Sequence, residues 1–148
     1  MIAKMLCVTG CLWPLLALAG EAAQPVEAGP KPGIWVLRGV DSRPWQARML
    51  LQASGQRVYG SLRWQSEAGV ESGGEEAFEG QHDPATGWVT LRGQTLKEAR
   101  GDIASGTTYE ATLSADGSRL ESGRWFGPDT QPGTWSAVWQ RPLPSKLP

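Results

Sequence analysis

The sequence predicts an all-β fold: a single antiparallel up-and-down barrel of about eight strands, with a β-sandwich as the alternative. Three observations favour it. Hydrophobic and polar residues alternate along short segments, turn-forming residues separate these segments, and no helix-like spacing of apolar residues lies between them. Short turns join antiparallel neighbours, whereas parallel strands need long crossovers. We favour the closed barrel because it leaves no edge strand exposed to aggregation.

The first part of the predicted barrel contains an opening strand and a hairpin. Residues 34–39 form the opening strand, and in residues 45–53 the odd-numbered positions are apolar. The residues Ser54-Gly55-Gln56 form the turn that follows. In residues 58–64 the even-numbered positions are apolar or glycine. This pattern of period two indicates two antiparallel strands that each bury one face.

The second part repeats this arrangement around two recognisable turns. One turn contains Pro84 and Gly87, and the other contains Asp116-Gly117, a pair typical of tight hairpins. A longer connection, residues 94–106, includes one predicted helical turn capped by Thr95, and it either covers an end of the barrel or crosses its surface. The remaining strands are predicted at residues 77–82, 88–93, 108–114, 119–126 and 134–140.

Both ends of the chain are predicted to lie outside the barrel. Residues 1–19 have the features of a signal peptide: Lys4, an apolar run too short for a membrane-spanning helix, and Ala17-Leu18-Ala19 before the expected cleavage site. We therefore expect an exported protein, periplasmic or secreted. The predicted segments after cleavage are a flexible lead that buries nothing, the barrel domain and an extended tail, at residues 20–32, 33–141 and 142–148.

The charge balance and the scarcity of reactive side chains argue against several functions. With 14 basic and 15 acidic residues, the chain lacks the basic excess of a nucleic-acid binder. Cys7 and Cys11 both lie in the predicted leader, which leaves no thiol for catalysis or disulfides. The chain contains no serine-nucleophile motif, and its single histidine, His82, is expected at a solvated strand end. We therefore expect neither an enzyme, a metal site nor a cofactor.

A group of acidic residues begins between the first and second predicted hairpins and extends into the second. The alternation of side chains sends Glu75 and Glu79 to one face of their strand and Glu76 to the other. The spacing does not match a calcium-binding loop. Because charged side chains are usually exposed, the group is expected to form a solvated acidic edge; its members are Glu71, Glu75, Glu76, Glu79 and Asp83.

The pattern Gly-x-Trp occurs three times, at residues 33–35, 123–125 and 133–135. Glycine permits a bend or a close backbone approach, and an indole two residues later points to the same face and can fill the space. With Gly33 and Trp35 at the start of the domain and Arg141 directly after its last strand, the chain resembles the calycin group, which includes lipocalins, fatty-acid-binding proteins and avidins. The resemblance implies a barrel with an interior site for an apolar or aromatic small molecule.

Seven tryptophans lie beyond the predicted leader, and they have two interpretations. They either fill the core or line a cavity for a small ligand, since an eight-stranded barrel is wide enough for one or the other. Arg124 is included among the ligand-binding candidates because Leu120 and Trp125 differ in strand parity, which implies a bulge between them and leaves the direction of Arg124 open. The candidates are Trp45, Trp64, Tyr109, Arg124 and Trp135.

The sequence thus favours an exported module that binds a small apolar or aromatic molecule inside the barrel. The alternative is an exported interaction or inhibitor protein without a small ligand. Such a protein would act through loops rich in glycine, proline and acidic residues, at residues 67–74 and 127–133. Polar groups that converge inside the barrel would support the first function, and a filled barrel with an exposed apolar patch would support the second.

Overall fold

The computed structural model describes residues 29–66, 72–97, 106–128 and 130–144. These residues form a closed, eight-stranded antiparallel barrel in up-and-down order, which confirms the predicted fold class. Each strand pairs with the next along the chain, and the first pairs with the last. The strands are β1 (Gly33–Val40), β2 (Pro44–Ser54), β3 (Arg57–Ser66), β4 (Ser72–His82), β5 (Trp88–Lys97), β6 (Thr108–Leu113), β7 (Arg119–Gly127) and β8 (Thr130–Arg141).

The strand order gives the barrel two different ends. We call one end the base: it holds the start of β1, the end of β8 and the turns after β2, β4 and β6. We call the other the upper end: it holds the turn at residues 41–43 and the connections after β3, β5 and β7. In the part of the chain that the structure describes, no helix is long and apolar enough to span a membrane.

The core consists of inward-facing side chains from all eight strands. In β2 the odd-numbered residues from Ala47 to Leu51 are buried, and in β3 Val58, Leu62 and Trp64 are buried, as the alternation predicts. Trp35 and Leu37 of β1 are completely buried between β2 and β8. The predicted period of two therefore identifies the buried faces of β2 and β3 correctly.

The glycines of the last two Gly-x-Trp repeats leave space for tryptophans of the facing strand. In the β7–β8 pair, Gly123 lies opposite Trp135 and Gly133 lies opposite Trp125. A Cβ atom on Gly123 would lie 2.7 Å from the Trp135 ring, and one on Gly133 would clash with the Trp125 ring. Each glycine thus admits the indole across the ladder, not the one on its own strand as the sequence pattern suggests.

The residues just before β1 cover the base of the barrel. Pro30 is fully buried, the Lys31 N–H donates to the Gly117 carbonyl at 3.0 Å, and Trp35 Nε1 donates to the Lys31 carbonyl at 2.9 Å. The expectation that residues 20–32 bury nothing is therefore wrong at this end of the segment. The predicted signal peptide, residues 20–28 of the predicted lead and residues 145–148 of the predicted tail lie outside the described residues.

Two local expectations have different outcomes. The predicted helical turn at Thr95 is wrong, because β5 continues as a strand through Lys97; residues 98–105 of the same connection lie outside the described residues. The predicted bulge between Leu120 and Trp125 is confirmed. The pairing of β7 with β8 shifts between Leu120 and Gly123, and Ser122 adopts a φ of 52° there.

Candidate functional site

Four of the five predicted site residues form one aromatic cluster at the upper end of the barrel. Trp64 stacks on Tyr109 with 6.2 Å between ring centroids, and Trp45 meets Trp64 edge-on at 6.4 Å. Trp135 lies edge-on to Tyr109 at 6.2 Å. Trp125, which sequence reasoning did not select, completes the cluster with its ring 5.8 Å from Trp64. The cluster joins β2, β3, β6, β7 and β8 across the interior.

The fifth predicted residue, Arg124, does not lie with them. Its side chain is exposed on the outside of the barrel and forms an ion pair with Glu110 at 3.4 Å. The bulge around Ser122 explains this orientation, because one extra residue reverses the parity of everything that follows in the strand. Trp125 consequently points inward and Arg124 outward.

A carboxyl group lies inside the barrel, against the aromatic cluster. Glu76 of β4 is completely buried, and the Tyr109 hydroxyl donates a hydrogen bond of 2.7 Å to its Oε2 atom. The expectation of a solvated acidic edge is therefore wrong for Glu76. It describes Glu75 and Glu79 correctly, since both lie on the outer face, where they pair with Arg63 and Arg57. Strand parity had separated Glu76 from these two neighbours, and this was the signal of its burial.

Gly93 of β5 makes the space that Glu76 occupies. A Cβ atom at position 93 would overlap Glu76 Oε1, so no larger residue fits there while the carboxyl keeps its place. The pairing of β4 with β5 also shifts between Ala77 and Phe78, directly beside this glycine. Because Gly93 of β5 has no side chain, the buried carboxyl group of Glu76 on the neighbouring strand β4 fits beside it.

Burial controls the protonation of both members of the Glu76–Tyr109 pair. Loss of hydration raises the pKa of Glu76 to about 7, against a smaller opposite effect of the hydrogen bond from Tyr109. Burial, and then the neighbouring carboxylate, hold the pKa of Tyr109 well above its ordinary value. Near neutral pH the phenol is therefore a neutral donor, and the carboxyl group is close to half protonated.

Two buried polar atoms in this region have no hydrogen-bond partner among the described residues. One is Glu76 Oε1, an acceptor when the group is ionised, and the other is Trp64 Nε1, a donor. The Trp64 indole and Thr107 lie close enough to the Tyr109 hydroxyl to lower the pKa of the phenol, yet Trp64 Nε1 makes no hydrogen bond of normal geometry. Since most buried polar atoms in proteins are paired, two unpaired atoms beside one hydroxyl indicate a site that can accept a polar partner.

A third unpaired polar atom lies at the base. His82 is almost completely buried, with 3% of its surface exposed, and its Nε2 atom has no partner in the described part of the chain. The expectation that His82 is a solvated strand end is therefore wrong. Burial lowers the pKa of His82, with a smaller opposite effect from the charge on Asp83.

No protein-family model matches the sequence, and no curated protein is significantly similar to it.

Proposed function

We propose that the protein binds a small planar aromatic molecule at the upper end of the barrel, within the cluster around Trp64. The observation that carries this proposal is the presence of an unpaired acceptor, Glu76 Oε1, and an unpaired donor, Trp64 Nε1, among aromatic rings. Ligand sites typically combine apolar walls with a few polar groups that fix orientation. The Glu76 region has this composition.

The aromatic rings favour a flat ligand. Trp64 and Tyr109 are nearly parallel, with 24° between their planes, whereas Trp45, Trp125 and Trp135 meet this stack edge-on. A ring that enters the cluster would find faces to stack on and edges to contact, the two arrangements that aromatic pairs prefer. This geometry supports the expectation of an aromatic or apolar small molecule.

The polar atoms narrow the chemistry of the ligand. Glu76 Oε1 would accept a hydrogen bond from an N–H group, and Trp64 Nε1 would donate one to a carbonyl oxygen. A cyclic amide fused to an aromatic ring carries both groups side by side. An anionic ligand fits poorly, because Arg124 lies outside and the buried polar residues of the described chain are Glu76, His82 and Thr107.

Trp45 gives the ligand a route into the cluster. Its indole is only partly buried, and Nε1 donates to Asp41 at 3.1 Å in the exposed turn between β1 and β2. The Arg43 guanidinium lies over the same ring, 4.5 Å from its centroid. Trp45 thus contacts both this turn and the Trp64 ring, so a movement of the turn that carries the indole away would uncover Trp64.

Equilibrium dialysis with two matched compounds tests the proposal. 2-Quinolone carries a cyclic amide, and naphthalene has the same ring shape without polar atoms. We expect saturable binding of both, with 2-quinolone bound more tightly. In Trp64→Phe, which keeps a ring but loses the N–H, the preference for 2-quinolone should fall by about fivefold, the effect of one net hydrogen bond. Trp88→Phe, a change at the base, is the control. Absence of saturable binding of either compound contradicts the proposal.

The interaction or inhibitor protein is the second candidate. Its predicted loops lie partly within strands, because residues 72–74 belong to β4 and residues 130–133 belong to β8. A different surface favours it: Leu50 and Val138 are exposed on the outer face of β2 and β8, on either side of the first residues of β1. Substitution of Leu50 and Val138 by Ser would abolish such an interaction but leave the binding of 2-quinolone unchanged.

A further inference from the structure

We propose that a groove on the outside of the barrel, at the base of β4 and β5, is a second ligand site that binds a neutral carbohydrate. The groove has a volume of about 540 Å³. It is separate from the Trp64 cluster, which lies inside the barrel near its upper end. The residues that carry the inference are Gln56, Glu79, Gln81, Trp88 and Arg92.

Trp88 gives the groove an aromatic platform. It is the most exposed of the described tryptophans, with 37% of its surface accessible. The turn before it fixes its backbone: the Asp83 N–H donates to the Trp88 carbonyl at 2.8 Å, and the Trp88 N–H donates to Thr86 Oγ1 at 3.2 Å. An exposed indole on a fixed turn presents a flat apolar surface against which the C–H face of a sugar ring can pack.

His82 does not offer its side chain to this groove. Like Glu76 and Phe78 it lies on the buried face of β4, and its unpaired Nε2 atom has almost no accessible surface. Gln81 and Glu79 lie on the opposite, outer face of the same strand. The groove therefore presents to a ligand the outward side chains of β4 and β5 and the turn residue Gln56.

The formal charges around the groove sum to zero, with Arg57 and Arg92 against Glu79 and Asp83, which favours a neutral ligand. Glu79 pairs with Arg57 at 3.0 Å and lies opposite Arg92 in the β4–β5 ladder. Asp83 accepts hydrogen bonds from the Ala85 N–H and the Thr86 hydroxyl within its own turn. The groups that remain for a ligand are the Arg92 guanidinium, which donates, and the amides of Gln56 and Gln81, which both donate and accept, as sugar hydroxyls require.

The closed sheet argues against an extended peptide in this groove. Extended peptides commonly bind by adding a strand to a free sheet edge, but β1 pairs with β8 and the described barrel has no such edge. A second depression of about 390 Å³ adjoins the groove and shares Gln56, Glu79 and Gln81 with it, extending toward Arg57 and Gln94. The surface thus accommodates more than one sugar ring.

The test follows the indole N–H resonances of the full chain during titration with maltotetraose, cellotetraose and tetra-N-acetylchitotetraose. We expect at least one of these neutral oligosaccharides to shift the Trp88 resonance saturably, while the Trp64 and Trp135 resonances stay unchanged. By calorimetry, Trp88→Ala should weaken binding roughly tenfold or more, and Gln81→Ala about fivefold. Phe126→Ala, an exposed aromatic residue at the upper end, is the matched control and should bind normally.

Three results would overturn the carbohydrate site. One is a Trp88 resonance that does not move with any of the three oligosaccharides at up to about 10 mM. Another is binding that shifts Trp64 instead of Trp88. The third is normal affinity in both Trp88→Ala and Gln81→Ala. Because Gln81 is exposed, its substitution keeps the test valid if Trp88→Ala fails to fold. None of these results bears on the aromatic ligand proposed for the interior, whose reporter is Trp64.

Discussion

Tyr109 and Glu76 face each other across the barrel interior, from β6 and β4, with the phenol hydroxyl 2.7 Å from the carboxyl oxygen that accepts its hydrogen bond. The strand between them, β5, contributes Gly93, whose missing side chain leaves room for the carboxyl group. Tyr109 and Gly93 thus hold the acid of Glu76 where its charged form is poorly hydrated. The stability of the barrel should depend on the protonation of this acid.

The first prediction concerns this pH dependence. The pKa of Glu76 is raised from 4.5 to about 7 in the folded protein, so the folded state holds a proton that the unfolded state releases between these values. Its contribution to stability is therefore complete below pH 4.5 and is lost as the pH rises to about 7, by about 3 kcal/mol in total. Glu76→Gln, which does not titrate, should lack this loss.

Chemical denaturation of both proteins between pH 4 and pH 8 measures the effect. His82 contributes in the opposite direction, because its lowered pKa makes the folded state release a proton first as the pH rises, but this contribution is common to both proteins and cancels in their difference. Parallel stability curves for the wild-type protein and Glu76→Gln would show that Glu76 titrates normally.

The second prediction concerns the hydroxyl of Tyr109. Its hydrogen bond lowers the pKa of Glu76, so Tyr109→Phe should raise that pKa above 7. The variant should also lose about 2 kcal/mol of stability at pH 8, where the carboxylate is charged, and less at pH 5. Carbon NMR of the Glu76 carboxyl group measures the pKa directly. Tyr59→Phe is the control, since Tyr59 lies away from Glu76 and should change neither quantity; an unchanged Glu76 titration in Tyr109→Phe would count against the hydrogen bond.

The third prediction concerns the space at Gly93. Gly93→Ala should destabilise the barrel by about 2 kcal/mol, because the added methyl group overlaps Glu76 Oε1. In a chain that already carries Glu76→Ala, the same change should cost little. A double-mutant cycle by urea denaturation gives the coupling, expected at about 1 kcal/mol or more. Additive effects of the two substitutions would mean that Gly93 is needed for a reason other than Glu76.

The fourth prediction concerns the paired glycines of β7 and β8. Gly133→Ala should perturb the indole resonance of Trp125 most strongly, and Gly123→Ala that of Trp135, because each glycine faces the tryptophan across the ladder. Each substitution should also cost about 2 kcal/mol by overpacking. Each variant serves as the control for the other. If each alanine perturbed the tryptophan on its own strand instead, the conclusion that each glycine makes room for the indole of the facing strand would be wrong.

The fifth prediction concerns the segment before β1. A chain that begins at Gly33 loses three hydrogen bonds at the base: from Lys31 to Gly117, from Trp35 to Lys31 and from Trp139 to Pro32. It should be about 3 kcal/mol less stable than a chain that begins at Gly29. Thermal unfolding of the two chains makes the comparison. Equal stability would indicate that residues 29–32 contact the base without stabilising the fold.

The barrel was predictable because its signals are local. The period of two in β2 and β3 and the turns at residues 83–87 and 115–118 each follow from neighbouring residues. Trp45 and Trp64 both occupy positions that the alternation predicts to face inward, and their rings do meet inside the barrel.

The features that sequence reasoning missed depend on distant residues. The burial of Glu76 requires Tyr109, 33 positions away, and the space at Gly93. The bulge at Ser122 was predicted, but the residue that it turns inward was not, so Arg124 was placed among the candidates and Trp125 was not. Pro30 is buried because it lies against the base of the barrel. The composition of residues 20–32 does not reveal this contact.

The most direct test of the proposed interior site is a two-dimensional NMR titration of the chain with 2-quinolone, read at the indole N–H groups. Each tryptophan reports on one place in the barrel. If the ligand binds as proposed, the Trp64 resonance moves saturably, the Trp45 and Trp135 resonances move with it, and those of Trp35 and Trp139 at the base stay fixed. A titration in which Trp64 does not respond, or in which the base responds instead, would contradict the interior site.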